Sequence, residues 1–271
     1  MIAIDTLDDP RLSAYRAVAE PRRLQDAGLF VVEGRLVVPR LLALSAEPGR
    51  WSGAAQSVLL SPAAFDHMED VVARHPAVPT YVVPQPVMDG LVGFNMHRGC
   101  LALARRPAVP AFTVAAIAAA RRLIVLEQVN NPDNIGGIFR SGAALGAEAI
   151  VLGPSCADPL YRKSVRTSMG ATLEVPYLSA ADWPAALDLM RTHGWEVVAL
   201  TTDSDARRLS CYEPGSRVAL LAGAEGTGLT GQALARASTR ITIPMTGRVD
   251  SLNVTTAVSI ALYHVVVSAR P

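Results

Sequence analysis

The second half of the chain alternates short apolar runs with longer stretches of helical periodicity. Leu123–Glu127 is apolar up to its last residue, whereas Asn134–Leu145 places Ile135, Ile138 and Phe139 on one helical face. Continuous apolar runs are typical of strands buried on both faces, and repeated strand–helix units align their strands in parallel. The pattern therefore predicts a parallel sheet covered by helices on both faces. The other strands predicted here are Ala149–Leu152, Leu173–Pro176, Glu196–Thr201, Val218–Leu221 and Ile241–Pro244, and the other helices are Ser164–Gly170, Pro184–His193, Gly231–Ala237 and Val254–Val267.

The first half shows the same alternation in smaller elements, which predicts a small α/β unit. The proline-rich stretch Arg105–Pro110 is followed by a change in composition. We therefore place a first domain at residues 1–106, a second at residues 121–271, and between them a linker, 107–120, that its prolines make semi-rigid. The strands predicted in the first half are Leu29–Val32, Ser57–Leu60, Tyr81–Val83 and Gly99–Ala104, and the helices are Arg11–Ala27, Leu36–Leu44, Ala63–Arg74 and Pro86–Leu91.

Composition narrows the range of possible functions. The chain has 271 residues, half of them hydrophobic, and a net charge of +1, so it lacks the strong positive charge of proteins that coat nucleic acids. RNA, if it binds, would contact local basic patches. The three cysteines are scattered without a paired spacing, which is typical of a reducing cytosol. No apolar run reaches the roughly 20 residues of a membrane span, and the histidines show no metal-ligand spacing. We expect a cytoplasmic protein without a metal site.

Two stretches near the C-terminal end each pass from an apolar run into glycines and small polar residues, and then into a helix. Leu220–Thr230 has the sequence LLAGAEGTGLT, and Ile243–His264 has the sequence IPMTGRVDSLNVTTAVSIALYH. α/β proteins build ligand sites from such loops at the carboxyl ends of their strands. Because these loops carry few large side chains, we expect their backbone groups to supply most of the ligand contacts.

The first of these loops contains a literal GxGxxG, from Gly226 to Gly231, so a dinucleotide-dependent oxidoreductase must be weighed. Three features count against it. A single short strand follows the motif, no acidic residue ends that strand, and Glu225 would place a negative charge beside the pyrophosphate. The oxidoreductase therefore ranks third among the alternatives.

The two stretches, together with NPDNIGGIFRSGAALGAEAIVLG at 131–153, resemble the three motifs of the SpoU (TrmH-like) family. These are RNA ribose 2′-O-methyltransferases of the SPOUT superfamily. The resemblance covers about residues 121–271 and implies a trefoil knot in the final third of the chain and a homodimer built through this domain. FVVEG at 30–34 and HRGCLALARRP at 97–107 more loosely resemble the ribosomal-protein-like substrate-binding domain found in the family, and His97 is expected to be a structural hydrogen-bond donor.

The resemblance implies that Arg140 activates the ribose 2′-hydroxyl. A guanidinium has a pKa above about 12, which makes it a poor base. We therefore expect Arg140 to bind the adjacent phosphate and to stabilise the developing alkoxide. The alternative is an arginine that simply lies at the polar edge of an amphipathic helix, and a single sequence does not distinguish it from a catalytic arginine. Asn134 would position Arg140 or the RNA, although it also suits a helix N-cap. The sequence departs from the family at Gly137, where relatives commonly have alanine or another small residue.

The second and third motifs supply the remaining candidate catalytic residues. The resemblance implies that Glu225 faces Arg140 or the cofactor, although a carboxylate in a glycine loop could simply face water. It assigns Ser251 and Asn253 to catalysis or to the positioning of cofactor and substrate, and both residues also suit a helix N-cap.

The cofactor implied by the resemblance is S-adenosylmethionine, with no metal required. An apolar slot lined by backbone N–H and C=O groups can bind the edge of an adenine. The residues expected to hold the cofactor, largely through their backbone, are Gly223, Ile243, Leu252 and Asn253.

Arg162, Lys163 and Arg166 lie close together in YRKSVRTSMGA at 161–171 and are the candidates for contact with RNA phosphates. A cluster of charges more often forms a solvated face, and that alternative stays open.

The resemblance as a whole implies an S-adenosylmethionine-dependent methyltransferase that acts on a ribose 2′-hydroxyl of RNA, with ribosomal RNA ahead of transfer RNA. The N-terminal domain would select the RNA, and both subunits of the homodimer would form the RNA-binding surface. One alternative is a transfer RNA methyltransferase. Another is a non-catalytic RNA-binding factor of ribosome assembly, against which the intact motifs argue.

Overall fold

A computed structural model of the chain describes residues 1–93, 96 and 99–268. His97 and the first residues of the HRGCLALARRP segment lie outside the described residues. The described part of the chain forms two compact units, Met1–Ala108 with Leu160–Gly170, and Val109–Pro159 with Ala171–Pro271. The sequence places Leu160–Gly170 in the second domain, whereas the structure groups this segment with the first unit.

Strands and helices alternate through both units. The strands are β1 Ile2–Ala3, β2 Leu29–Glu33, β3 Ala55–Leu60, β4 Thr80–Val82, β5 Cys100–Arg105, β6 Arg122–Leu126, β7 Ala149–Leu152, β8 Tyr177–Ser179, β9 Glu196–Leu200, β10 Arg207–Arg208, β11 Val218–Ala222 and β12 Thr239–Thr242. The α-helices are α1 Pro21–Asp26, α2 Val38–Ala46, α3 Pro62–Ala73, α4 Gln85–Val92, α5 Pro132–Leu145, α6 Arg162–Thr167, α7 Ala171–Glu174, α8 Ala185–Thr192, α9 Gly231–Arg236 and α10 Val254–Ser268, and 3₁₀-helices span Pro10–Ala19, Ala115–Ile117 and Leu209–Cys211.

The first unit is built on a mixed five-stranded sheet in the order β1-β4-β3-β5-β2. β5 pairs antiparallel with β2 and β3, whereas β4 pairs parallel with β3 and β1. The four predicted strands are present, and the two-residue strand β1 is an addition. The predicted helix Arg11–Ala27 is divided at Glu20, because Pro21 lacks the N–H that a continuous helix requires and instead begins α1.

The second unit contains a seven-stranded parallel sheet in the order β10-β12-β9-β11-β6-β7-β8. The predicted parallel sheet is therefore confirmed, and its inner strands β6, β7, β9 and β11 are mostly buried. The predicted linker contributes to one edge of this sheet, since Ser179 N–H donates to the Pro110 carbonyl and Phe112 N–H donates to the Ser179 carbonyl. The trefoil knot stays a prediction. Within the described residues, the helices are too short or too polar to cross a membrane.

The predicted strand Leu173–Pro176 is wrong. Leu173 and Val175 are apolar at alternate positions, as in a strand, but they lie on and just after the helical turn α7, where Val175 N–H donates to the Ala171 carbonyl at 2.9 Å. Both side chains are buried by this turn. Pro176 has no N–H to donate to a neighbouring strand, and β8 begins only at Tyr177.

Candidate active site

Three neighbouring strands of the parallel sheet, β12, β9 and β11, end at one cavity of about 410 Å³. The cavity is lined by Leu200–Asp203 after β9, by Ala222–Leu229 after β11 and by Ile241–Ile243 at the end of β12. Ser251 and Leu252, just before α10, also line it. A parallel sheet presents its ligand sites at this carboxyl edge, as the sequence predicts.

The loop after β11 owes its shape to Gly223. Residues Ala224 and Gly228 pair as an isolated antiparallel bridge, so the loop folds back over the end of its own strand. A Cβ atom at position 223 would lie 2.4 Å from the carbonyl carbon and oxygen of Gly228 and 2.5 Å from the Leu229 nitrogen. Only glycine fits there, because the obstructing atoms are backbone. Gly226 and Gly228 have φ of +86° and +67°, which other residues adopt only at a cost.

Asn253 connects the loop before α10 to the other two motifs. Its Oδ1 accepts hydrogen bonds from the backbone N–H groups of Thr255 at 2.9 Å and Thr256 at 3.3 Å, so Asn253 is the N-cap of α10. Its Nδ2 therefore points the other way, and donates to Asn134 Oδ1 at 2.9 Å and to Glu225 Oε1 at 2.6 Å. One amide group thus joins a residue from each of the three motifs.

Asn134 is buried within α5 and does not cap it. The N-cap is Asn131, whose side chain accepts from the Asp133 N–H, and Pro132 is the first helical residue. The N-cap alternative for Asn134 is therefore wrong by three positions. Thr255 of α10 donates its hydroxyl to the Asn134 carbonyl at 3.2 Å. Asn134 is thereby held from two sides, in agreement with a positioning role.

Most of the predicted site residues of the second unit line the cavity, whereas Arg140 lies outside its lining. Arg140 lies on the exposed surface of α5 and, among the described residues, makes no hydrogen bond or ion pair. Ser251 is exposed at the cavity and lies two residues before the cap that Asn253 forms, so its predicted capping role is not observed. The predicted residues that line the cavity are Gly223, Glu225, Ile243, Ser251 and Leu252, with Asn253 bonded to its edge through Glu225.

The basic cluster Arg162, Lys163 and Arg166 belongs to the first unit. Arg162 Nη1 donates to Glu33 Oε2 at 2.5 Å, and Arg166 lies 3.9 Å from the other carboxylate oxygen of Glu33. Glu33 is buried, with 8% of its surface exposed. Arg162 and Arg166 therefore have a structural role in holding Glu33.

Glu127 is a polar residue of the site region that the sequence does not single out. It directly follows β6, is 1% exposed, and accepts hydrogen bonds from Trp183 and Thr230. Its only signal in the sequence is an acidic residue at the end of an otherwise apolar run. Nearby, Cys156 donates its thiol to the Leu126 carbonyl, and burial raises the pKa of that thiol to about 11, which keeps it protonated at neutral pH.

The composition of the cavity wall suits a ligand that has both apolar and polar parts. Leu229, Leu234 and Ile241 provide apolar surface, whereas Thr201, Asp203 and Glu225 provide hydroxyl and carboxylate groups. Volumes of about 300–1,000 Å³ are typical of small-molecule sites. Within the described residues, no group of three histidine, cysteine, aspartate or glutamate side chains is placed to hold a metal ion.

Known proteins share both the sequence motifs and the fold. The sequence profile of the SpoU rRNA Methylase family matches residues 121–263. An uncharacterized tRNA/rRNA methyltransferase of Mycobacterium bovis is 42% identical over 265 residues, which span 95% of this chain and 88% of that protein. The 23S rRNA (guanosine(2553)-2′-O)-methyltransferase RlmP of Bacillus subtilis is 29% identical over 148 residues, or 55% of this chain and 59% of that protein.

A solved structure of an AdoMet-bound rRNA methyltransferase from Sinorhizobium meliloti has the same fold, with a TM-score of 0.79 and 22% identity over 97% of this chain and 96% of that chain. The resemblance found in the sequence is therefore confirmed by the family profile and by a relative that matches almost the whole chain. The chain belongs to the SpoU rRNA methylase family of RNA methyltransferases.

Proposed function

We propose that the protein transfers a methyl group from S-adenosylmethionine to a ribose 2′-hydroxyl of RNA, with ribosomal RNA as the substrate. The observation that carries the proposal is the amide of Asn253, which joins Asn134 and Glu225 at the edge of a cavity formed by glycine loops. The relative from Bacillus subtilis, named as a 23S rRNA 2′-O-methyltransferase, supports both the 2′-oxygen as acceptor and ribosomal RNA as substrate.

The cavity fits S-adenosylmethionine in size and in chemistry. The crossing of the loop over Gly223 brings backbone N–H and C=O groups to the wall, and Ile243 and Leu252 add apolar surface beside them. Such a wall can bind an adenine edge-on, and the nearby hydroxyl and carboxylate side chains suit a ribose and an ammonium group. When bound, S-adenosylmethionine supplies a methyl group on a sulfonium that is already a good leaving group.

The protein's contribution to the chemistry is positioning and electrostatics. A guanidinium is a very poor base, so Arg140 is not expected to take the proton of the ribose hydroxyl. Its exposed side chain has no partner among the described residues and is free to bind a phosphate of the incoming RNA. From there the guanidinium stabilises the negative charge that develops on the 2′-oxygen. Asn134, on the same helix, fixes the helix against the loop before α10 through Asn253.

Recognition of the RNA involves the first unit and a second copy of the chain in this proposal. Arg162, Lys163 and Arg166 contribute positive charge on the first unit. A homodimer is supported by apolar residues exposed on one side of α10, at positions three and four apart: Ile260, Tyr263 and Val267 are 39%, 57% and 38% exposed. The cytoplasmic location expected from the sequence belongs to the same proposal.

The test is transfer of labelled methyl groups. Purified protein is incubated with isotope-labelled S-adenosylmethionine and unmodified ribosomal or transfer RNA, and the digested RNA is analysed for 2′-O-methylnucleosides by mass spectrometry. We expect label in ribose methyl groups of ribosomal RNA. Arg140→Ala should abolish the transfer, and Arg140→Lys should lower it strongly, because lysine keeps the charge but lacks the planar fork that binds a phosphate at two points.

The matched control is Arg191→Ala, which removes an exposed arginine from α8 of the same unit. It should transfer at the wild-type rate. Label in transfer RNA alone would move the substrate assignment to the first alternative, and label on a base would contradict ribose chemistry. Binding of S-adenosylmethionine without transfer to either RNA would point to a missing substrate, such as an assembly intermediate. Neither binding nor transfer would favour the assembly-factor alternative. Near-normal transfer by Arg140→Lys would contradict the two-point phosphate contact.

A further inference from the structure

Glu127 is the most deeply buried acidic residue in the described part of the chain, at 1% exposure compared with 8% for Glu33. Three uncharged donors surround its carboxylate. The Trp183 indole N–H lies 2.7 Å from Oε1, the Thr230 hydroxyl lies 2.8 Å from the same oxygen, and the Thr230 backbone N–H lies 2.8 Å from Oε2. A buried carboxylate held only by neutral donors is costly to desolvate, so its presence needs a reason.

The position of Thr230 provides that reason. Thr230 ends the glycine loop and caps α9, since its Oγ1 accepts the Ala233 N–H at 3.2 Å. The residue before it, Leu229, lines the cavity. At its other end the loop leaves β11 through Gly223, whose close approach to the Gly228 backbone leaves no room for a side chain. Between these ends lie two glycines at positive φ, which give the loop little stiffness of its own.

We infer that Glu127 is a positioning residue for the cofactor cavity. Its carboxylate fixes Thr230, and with it the loop Gly223–Thr230, in the shape that binds S-adenosylmethionine. The inference rests on the proposed function, because it takes this cavity as the cofactor site. Glu127 does not itself line the cavity, and it acts only through the loop.

An amide cannot replace this carboxylate. In Glu127→Gln, one of the two oxygens becomes an NH₂ group, which donates and cannot accept. If the NH₂ takes the place of Oε2, it faces the Thr230 backbone N–H. If it takes the place of Oε1, it faces the Trp183 N–H, and the Thr230 hydroxyl can no longer donate to that atom. In both orientations two donors face each other, and the charge-assisted hydrogen bonds that hold the end of the loop are lost or weakened.

The experiment measures the dissociation constant of S-adenosylmethionine by isothermal titration calorimetry, alongside the Tm of each variant. Glu127→Gln and Thr230→Val should each weaken binding by about tenfold or more, since each removes a hydrogen bond between the carboxylate and the loop. Thr230→Ser keeps all of these bonds and should bind within about twofold of wild type. Trp183→Phe, the matched control, removes a donor to the same carboxylate but leaves the loop attached. It should lower Tm without weakening binding.

Two results would overturn the inference about Glu127 and leave the proposed function intact. If wild type binds and Glu127→Gln binds equally well, or if binding in all variants simply follows Tm, Glu127 has only a structural role. If wild type itself does not bind S-adenosylmethionine, the proposed function fails and the inference fails with it. Should Glu127→Gln not fold, Thr230→Val and Trp183→Phe still separate the two roles, because both leave Glu127 in place.

Discussion

Asn253 serves the site through both ends of its side-chain amide. The oxygen caps α10, and the nitrogen joins Asn134 to Glu225. A cap needs only the oxygen, and aspartate caps a helix as well as asparagine does. The nitrogen, which aspartate lacks, is therefore the part of Asn253 that is specific to the site.

This separation of roles predicts the outcome of Asn253→Asp. The variant keeps the cap, so α10 should stay folded, but Tm should fall and methyl transfer should fall by about tenfold or more. It loses two donated hydrogen bonds and places a second negative charge beside Glu225. Thermal unfolding and the labelled-methyl assay measure the two effects.

Asn253→Ala is the matched comparison for this prediction. It removes the cap as well as the amide nitrogen, so it should lower both Tm and transfer. Wild-type transfer by Asn253→Asp would show that the joined amide has no part in the reaction.

Individual residues differ in how far the sequence predicts their position. Glu225 and Asn253 stand out, because small loops between a strand and a helix leave few polar side chains to choose from. Glu127 does not, because its role depends on Thr230, which is 103 positions away in the sequence. Asn134 also suits the N-cap of α5, but the structure places the cap at Asn131. Both asparagines suit a cap, and periodicity does not fix the first residue of a helix.

Among the elements, α5 and α10 pack closely enough to explain the glycine in the first motif. The Ser141 and Ser259 hydroxyls meet at 2.7 Å, and Thr255 contacts the Asn134 carbonyl. An alanine Cβ at position 137 would lie 2.7 Å from Thr255 Cγ2 and 3.0 Å from Thr255 Oγ1. Thr255 is therefore the side chain that makes glycine necessary at this position.

Gly137→Ala should therefore destabilise the protein despite the better helix propensity of alanine. Overpacking of this kind costs about 1–3 kcal/mol, compared with roughly 1 kcal/mol gained in the helix. Displacement of Thr255 also disturbs Asn134, so methyl transfer should fall. Thermal unfolding and the transfer assay on purified protein measure both effects.

A second substitution tests whether contact with Thr255 is the reason for the glycine. Thr255→Ser removes Cγ2 but keeps the hydroxyl that bonds Asn134, so Gly137→Ala combined with Thr255→Ser should recover most of the lost stability and activity. If the double variant is no better than Gly137→Ala, contact with Thr255 is not the reason for the glycine.

The elements themselves are largely predictable where burial is continuous. β6, β7, β9 and β11 lie at the centre of the sheet, and their uninterrupted apolar runs identify them. The error at Leu173–Pro176 arises because four residues are too few for strand and helix periodicity to differ. Only the packing of the surrounding chain decides that this turn is helical.

At the scale of the whole molecule, the sequence predicts two units but misplaces one segment. α6 lies in the middle of the second domain in sequence, yet it belongs to the first unit, where Arg162 meets Glu33 from 129 positions away. Local periodicity predicts that such a helix forms, but it contains no information about its packing partner. The net charge of +1 also does not predict how positive and negative residues are divided between the two units.

The proposed homodimer gives the last prediction. The mass measured by light scattering after gel filtration should be twice the 28.6 kDa of one chain. Ile260→Asp places a charge in the exposed apolar side of α10 and should shift the protein to a single chain, because a buried unpaired carboxylate is strongly unfavourable in an interface. Leu189→Asp, at a similarly exposed leucine of α8 with 45% exposure, should leave the mass unchanged. A wild-type monomer, or an Ile260→Asp dimer, would mean that this side of α10 does not join two copies.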